Sequence, residues 1–264
     1  MSRPAPDVPS SADDAAIASL GAMQRASPAM YARRRRILGE TRRLMSEVGA
    51  DGFGMRELAD RSGVSLRTLY NAFGSKEVLI LAAIRQYYDK FLVAVTEQRN
   101  PYDFETVIDT AVALNLRNLQ IRPYLAAVVS LYFSSQSGPE VRVELRRVGA
   151  GFFRPWLDVA RARRQLRDGV DTHRVIANLA ALQFAVNQEW LADDIDGAAL
   201  LPVLLEAVYT YLAGVTQGEA GQRVEELLAD VRGPRRLLDE RIGRIENWLA
   251  RLLGDDVDAM ARPG

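Results

Sequence analysis

A chain of 264 residues, 48% of them hydrophobic, can bury a substantial core and suits one small domain plus one larger one. Its 34 basic and 34 acidic residues cancel, so any charge-driven partner must be met by a local concentration of charge. There is no cysteine, which excludes disulfides, thiolate nucleophiles and cysteine metal sites and fits a cytoplasmic setting.

Residues 1–29 are rich in Ala, Pro, Ser and Asp and lack a hydrophobic signal core; they read as a disordered tail. No apolar run approaches the roughly 18–20 residues that span a bilayer, so no membrane association is expected. From residue 31 an apolar helix runs to Gly49. Residues 55–61 then form a short amphipathic helix with Met55, Leu58 and Ala59 on one face. Ser62, Gly63 and Val64 make a tight turn, and Gly63 can take the positive φ of a sharp helix–helix corner. Ser65 is placed to N-cap a second short helix, residues 66–73. Leu66 and Leu69 can pack inward from it, leaving Arg67, Thr68, Tyr70 and Asn71 facing out. Those four suit DNA: Arg can fork onto guanine, Asn can pair with adenine, and Thr and Tyr can donate to phosphate.

Charge concentrates around this motif. Residues 31–77 hold ten basic side chains against six acidic ones, net +4, so the remainder of the neutral chain carries −4. Arg33, Arg34, Arg35 and Arg36 lie just before or at the start of the first helix, a run of cations suited to phosphates. Lys76 with Ser75 opens the fourth helix, a suitable phosphate clamp. The plainer readings are a solvated helix end and an ordinary surface lysine.

The apolar helix ending at Gly49, then LADRSGVS at 58–65 and TLYNAFGSKE at 68–77, resembles the DNA-binding domain of TetR-family transcriptional regulators across residues 31–81. Two positions depart from that pattern. Gly54 stands where a hydroxyl residue commonly caps the first helix of the motif, and Ala72 where an aromatic or His commonly precedes the Phe. The resemblance implies a DNA-binding domain at 30–77 and a ligand-binding and dimerisation domain at 78–217. A C-terminal helical extension follows at 218–264. It also implies a homodimer on double-stranded DNA, most simply a repressor released from a palindromic operator by a small-molecule effector. The DNA-contact set would be Arg33, Arg34, Arg35, Arg36, Ser65, Leu66, Arg67, Thr68, Tyr70, Asn71 and Lys76.

Past the motif the pattern is helical. Helices are predicted at 78–98, 103–121 and 123–133. A long segment over 138–167 should be interrupted by Gly149, Gly151 and Pro155. A loop over 165–171 ends in Asp171, which can cap a helix running to 191, and Pro202 should sit in the first turn of another. No period-two strand pattern occurs, so the fold class is all-α. By the resemblance, residues 171–191 and 201–215 are the dimer helices. Tyr124, Phe152, Trp156, Gln183, Asn187 and Trp190 are candidate effector contacts, because small organic ligands favour apolar pockets with a few placed polar groups. An aromatic at helical spacing is more often an ordinary core residue than a pocket contact. Gln183 and Asn187 share a helix face with Trp190, and polar groups there need a partner in a ligand, a neighbouring helix or a second subunit. Beyond 218, Val224, Leu227, Leu228 and Val231 form one stripe. After Gly233 and Pro234, residues Leu238, Ile242, Ile245, Leu249 and Leu252 follow a 4-3-4-3 spacing. Two heptads are too few for a secure coiled coil, so a helix packed on its own body is expected, the alternative being one that extends the dimer interface or covers the pocket.

His173 is the only histidine and stands near a helix start, and no spacing of His, Asp or Glu suggests a metal site. The chain therefore does not read as an enzyme, and no cofactor is expected. The alternative function is a helical sensor or interaction protein of the same fold with weak or lost DNA binding, which Gly54 and Ala72 keep in view.

Overall fold

The computed structural model describes residues 28–97 and 99–253, in which twelve α-helices and one 3-10 turn succeed one another. They are α1 (Pro28–Val48), α2 (Met55–Ser62), α3 (Leu66–Phe73), α4 (Lys76–Thr96), α5 (Phe104–Gln120) and α6 (Arg122–Phe133). Then follow α7 (Pro139–Ala150), the 3-10 turn Gly151–Phe153, α8 (Arg154–Ala162), α9 (Thr172–Leu191), α10 (Gly197–Val215), α11 (Gly218–Arg232) and α12 (Arg236–Leu253). Among the described residues there is no strand. An isolated antiparallel bridge joins Leu166 to Thr216. The fold is all-α. Most of the tail expected at 1–29 lies outside the described residues, while Pro28 and Ala29 already belong to α1.

Boundaries follow local chemistry. Asp103 accepts the Thr106 amide to open α5, Asp171 accepts that of His173 to open α9, and Asp196 accepts that of Ala199 to open α10. The segment expected to break near residue 150 does so: α7 ends at Ala150, the chain tightens into the 3-10 turn, and Pro155 lies in the first turn of α8. Gly149 permits a close helix crossing, since a Cβ there would stand 3.1 Å from the Phe184 ring and 3.5 Å from the Ala180 Cβ on α9.

Two expectations are corrected. Pro202 is not in the first turn of its helix. Asp196 caps α10 one turn earlier, so Pro202 lies inside, where it has no N–H to return to the carbonyl of Ala198. The other concerns apolar length. α10, with 19 residues and mean hydropathy 1.7, is long and apolar enough by composition to cross a bilayer. It carries Glu206 and packs between α9 and α11.

The architecture has a centre. In α5, Phe104 and every residue from Val107 to Asn118 is buried, because α4, α6, α10, α12 and the 3-10 turn surround it. α1 packs on α2, α4 and α6; α9 packs on α6, α7, α8 and α10. The 4-3-4-3 stripe of α12 faces inward through Leu238, Ile245 and Leu249 and lies on α5, while Leu252 is exposed. Asp109 of α5 holds that helix. It receives Arg244 at 2.8 and 3.1 Å and Arg99 at 3.1 Å, with the Arg241 Nε 3.6 Å away. Glu105 pairs with Arg223 of α11 at 2.6 Å and with Arg241.

Candidate nucleic-acid interface

The motif is built as two short helices at a fixed corner. Met55, Leu58 and Ala59 of α2 are buried. Gly63 takes φ 61°, and its amide donates to the carbonyl of Asp60 while that of Val64 donates to Ala59, which closes α2. Ser65 caps α3: its Oγ accepts the Thr68 amide at 3.0 Å and stands 2.8 Å from the Thr68 hydroxyl. Leu69 and Phe73 are buried and fix the inward face, with Leu66 partly buried beside them. Ser75 then caps α4 through the Val78 amide, so the recognition unit leads directly into the long helix of the body.

The outward face of α3 carries Arg67, Tyr70 and Asn71, all exposed, with Tyr70 at 47%. Thr68 is half-buried, and its hydroxyl is engaged with Ser65. Gly54 caps α2 in an extended conformation and offers no side chain. A Cβ there would meet nothing within 4 Å, so a hydroxyl residue fits without rearrangement.

The ten basic residues of this region divide by partner. Arg61 is bidentate with Glu47 at 2.5 and 2.9 Å and lies 3.6 Å from Glu40. Arg43 pairs with Glu40 at 2.6 Å, and Arg42 donates to Gln86 at 2.9 Å. Arg36 donates to the Ser62 carbonyl at 2.9 Å, and the Arg34 guanidinium sits 4.6 Å over the Phe73 ring. Lys76 is also turned inward. Its Nζ donates to the Phe53 carbonyl and stands 4.4 Å over the Phe53 ring, which ties the α1–α2 loop to the start of α4. Among the described residues, Arg33, Arg35, Arg56 and Arg67 are exposed without an intramolecular partner. Arg56, in the first turn of α2, is absent from the contact set read from sequence. Its signal was its place beside the N-cap of a helix that abuts the recognition helix.

Similarity to known proteins agrees with this geometry. Residues 37–83 match the family model described as bacterial regulatory proteins, tetR family. Within that segment the chain carries a TetR-type DNA-binding motif. Over 75 residues it is 37% identical to the HTH-type transcriptional repressor KstR of Rhodococcus jostii (strain RHA1), covering 28% of this chain and 35% of that protein. Over 86 residues it is 36% identical to KstR of Mycobacterium tuberculosis, covering 33% and 39%. The chain thus spans little more than a third of the length of those curated relatives. Solved structures share the fold over more of it. A TetR transcriptional regulator from Rhodococcus sp. RHA1 superposes with TM-score 0.51 at 20% identity, covering 70% of this chain and 99% of that one. Full-length TylP, a TetR regulator from Streptomyces fradiae, gives 0.54 at 20% identity over 81% and 90%.

The six residues read as effector contacts are not brought to one place. Tyr124 of α6 joins Tyr87 and Tyr88 of α4 in an aromatic cluster, with ring centroids 5.4 and 6.4 Å away. Phe152 is partly buried against Phe153, whereas Trp156 packs on Phe104 at 4.8 Å and lines a cleft of about 420 Å³ with Glu105 and Arg223. Trp190 lies under the Arg122 guanidinium at 4.9 Å. Gln183 and Asn187 are buried, and a neighbouring helix answers part of their demand. The Asn187 amide donates to the Gln183 carbonyl at 2.7 Å and to Asn115 of α5 at 3.2 Å, leaving the Asn187 carbonyl oxygen without a partner. Sequence reading missed Arg117, which lies 3% exposed on α5. Its Nε donates to the Tyr87 hydroxyl at 2.8 Å and its Nη1 to Gln120 at 2.7 Å, while Nη2 has no partner. The available signal was a cation inside an otherwise apolar helical pattern.

Proposed function

We propose that the protein is a homodimeric DNA-binding transcriptional regulator, a repressor that a small organic ligand releases from a palindromic operator. One observation carries the reading: an exposed α3 face of Arg67, Tyr70 and Asn71, accompanied by further arginines that no acid among the described residues neutralises. Arg67 reads a guanine edge and Asn71 an adenine, while Arg33, Arg35 and Arg56 meet phosphates and set the register. Residues 30–77 form the reading unit, 78–217 the ligand-binding and dimerisation body, and 218–264 an extension laid on that body. Such a role places the protein in the cytoplasm.

A dimer is supported by the outer face of α9 and α10. Asn178, Ala181, Leu182 and Ala185 recur at helical spacing along α9. Val203, Ala207, Thr210 and Tyr211 do so along α10, lining an open, mostly apolar groove of about 820 Å³. Two copies joined there present two recognition helices, which read half-sites about one DNA turn apart. Ligand binding favours a dimer whose helices no longer match that spacing, so DNA and ligand oppose each other through linkage.

Selection of short DNA duplexes by the purified full chain tests the reading. A two-fold symmetric motif of about 15–20 base pairs is expected. No enrichment at low salt would overturn it in favour of a sensor or interaction protein of the same fold. Leu182→Glu places a charge in the centre of the α9–α10 face. Sedimentation should then show monomers, and operator affinity should fall with the dimer.

A further inference from the structure

Four charged residues are buried in the described part of the molecule: Asp109, Arg117, Glu144 and Arg241. Three have counter-ions. Asp109 receives Arg99, Arg241 and Arg244; Glu144 receives Arg85 and Arg147; Arg241 faces Glu105 and Asp109. Arg117 alone among these has no carboxylate. Its two hydrogen bonds go to neutral groups, the Tyr87 hydroxyl and Gln120, and its Nη2 is unpartnered. A buried guanidinium without an acid is costly to fold, and a chain that pairs its other buried charges keeps this one at an energetic loss.

A second unsatisfied donor belongs to the same cluster. The Tyr124 hydroxyl is buried without a hydrogen-bond partner, and burial raises its pKa far above the ordinary tyrosine value, so it stays an O–H donor. Tyr87 links the two: its hydroxyl accepts from Arg117, and its ring stands 5.4 Å from that of Tyr124 and 5.0 Å from that of Tyr88. One cationic and one neutral donor beside three clustered tyrosine rings match an anionic head on a flat or chain-like apolar body.

We propose that Arg117 is the anchor of the effector site and that the effector is a small apolar carboxylic acid, bound as its carboxylate. This rests on the reading of the protein as a ligand-released regulator and names the ligand class. The carboxylate pairs with the Arg117 guanidinium and accepts from the Tyr124 hydroxyl, while the apolar body packs among Tyr87, Tyr88 and Tyr124. The site also explains the response. Tyr87 and Tyr88 lie on α4, the helix that Ser75 joins to the recognition unit, and their neighbour Gln86 accepts a hydrogen bond from Arg42 of α1. A ligand that repacks the two tyrosines therefore shifts α4 against α1, the helix on which the DNA-reading unit packs.

The test is thermal unfolding and operator affinity of the full-length protein with benzoate, 4-phenylbutyrate, octanoate and decanoate, each beside its neutral amide. At least one acid should raise Tm and weaken operator binding at least tenfold where its amide does neither. Arg117→Met removes the unpaired charge while keeping bulk. Its ligand-free Tm should equal or exceed that of the parent, and the acid response should disappear. Tyr124→Phe should keep Tm and weaken the acid response. If no acid outperforms its amide, if the response survives in Arg117→Met, or if that variant lowers the ligand-free Tm, Arg117 is a structural residue and the proposal falls. The two readings fail separately. A selected operator with no acid response removes the carboxylate site alone, whereas an acid-raised Tm in a protein that selects no DNA removes the regulator reading and leaves the site.

Discussion

Arg67 and Arg241 both lie on helices, yet one points into solvent without a partner and the other is buried against Glu105 and Asp109. The contrast extends over their regions. Around the helix-turn-helix, cations left unpaired are in water, where the desolvation penalty is absent and an unspent charge remains available to a phosphate. In the body, burial makes an unpaired charge expensive, so Asp109 gathers three arginines and Glu144 two. An unpaired arginine is thus unremarkable at Arg67 and informative at Arg117.

The contrast is broken most severely at Asp109. Asp109→Ala leaves buried Arg241 with Glu105 as its remaining counter-ion and releases Arg99 and Arg244 from α5. A loss of roughly 3–5 kcal/mol is expected from chemical denaturation, as for other buried pairs deprived of one member. DNA affinity should follow only the folded fraction, because the clamp touches the C-terminal helices and not the reading face.

Next in size is the contrast inside the DNA-reading region itself. Arg67→Ala should cost about 1–3 kcal/mol of operator affinity and relax sequence preference at one base pair of each half-site. Arg61→Ala, a few residues away, removes a cation already held by Glu47, so operator affinity measured by fluorescence anisotropy should change little. Equal losses from the two would show that intramolecular pairing does not decide which cations serve DNA.

Acid sharpens the comparison from the other side. For the Glu144 carboxyl, burial alone would raise the pKa, but hydrogen bonds from Arg85 and Arg147 outweigh it and hold the value below the ordinary 4.5. Glu105 behaves alike: burial is opposed by Arg223 and Arg241, with a lowered value as the result. A carboxyl whose folded pKa is depressed contributes stability above its unfolded value and loses it as pH falls through the folded one. Tm should therefore decline below about pH 4.5, less steeply in Glu144→Gln, whose plateau at neutral pH should already be lower. The smallest expected effect is at Gly54, where Gly54→Ser adds a capping hydroxyl in open space and should gain a few tenths of a kcal/mol. The same hydroxyl is placed at a helix N-terminus and should tighten DNA binding modestly.

How much was legible in advance follows the same division. The motif could be read because its determinants are local: Ser65 caps, Gly63 turns, Leu69 and Phe73 point in, and each acts within a few residues of chain. Asp171 announced α9 for the same reason, and the break after Ala150 was written in Gly149, Gly151 and Pro155. Pro202 was misplaced because the decisive cap, Asp196, stands a turn earlier and a proline inside a helix obeys no first-turn rule. Lys76 was assigned to phosphate because its helix position suggested it. What redirected it was the Phe53 carbonyl, 23 residues away.

By itself, the sequence determined the helices, the helix-turn-helix unit, its net charge and the resemblance that unit carries, since periodicity, caps and turns are short-range properties of the chain. Only the tertiary structure decided which charges are spent. Whether an arginine is free, paired or stranded depends on the groups other helices bring to it and on whether water reaches it. Arg117 reads in the sequence as one cation among thirty-four basic residues. It becomes singular when α5 is enclosed by its neighbours and no acid among the described residues is packed against it.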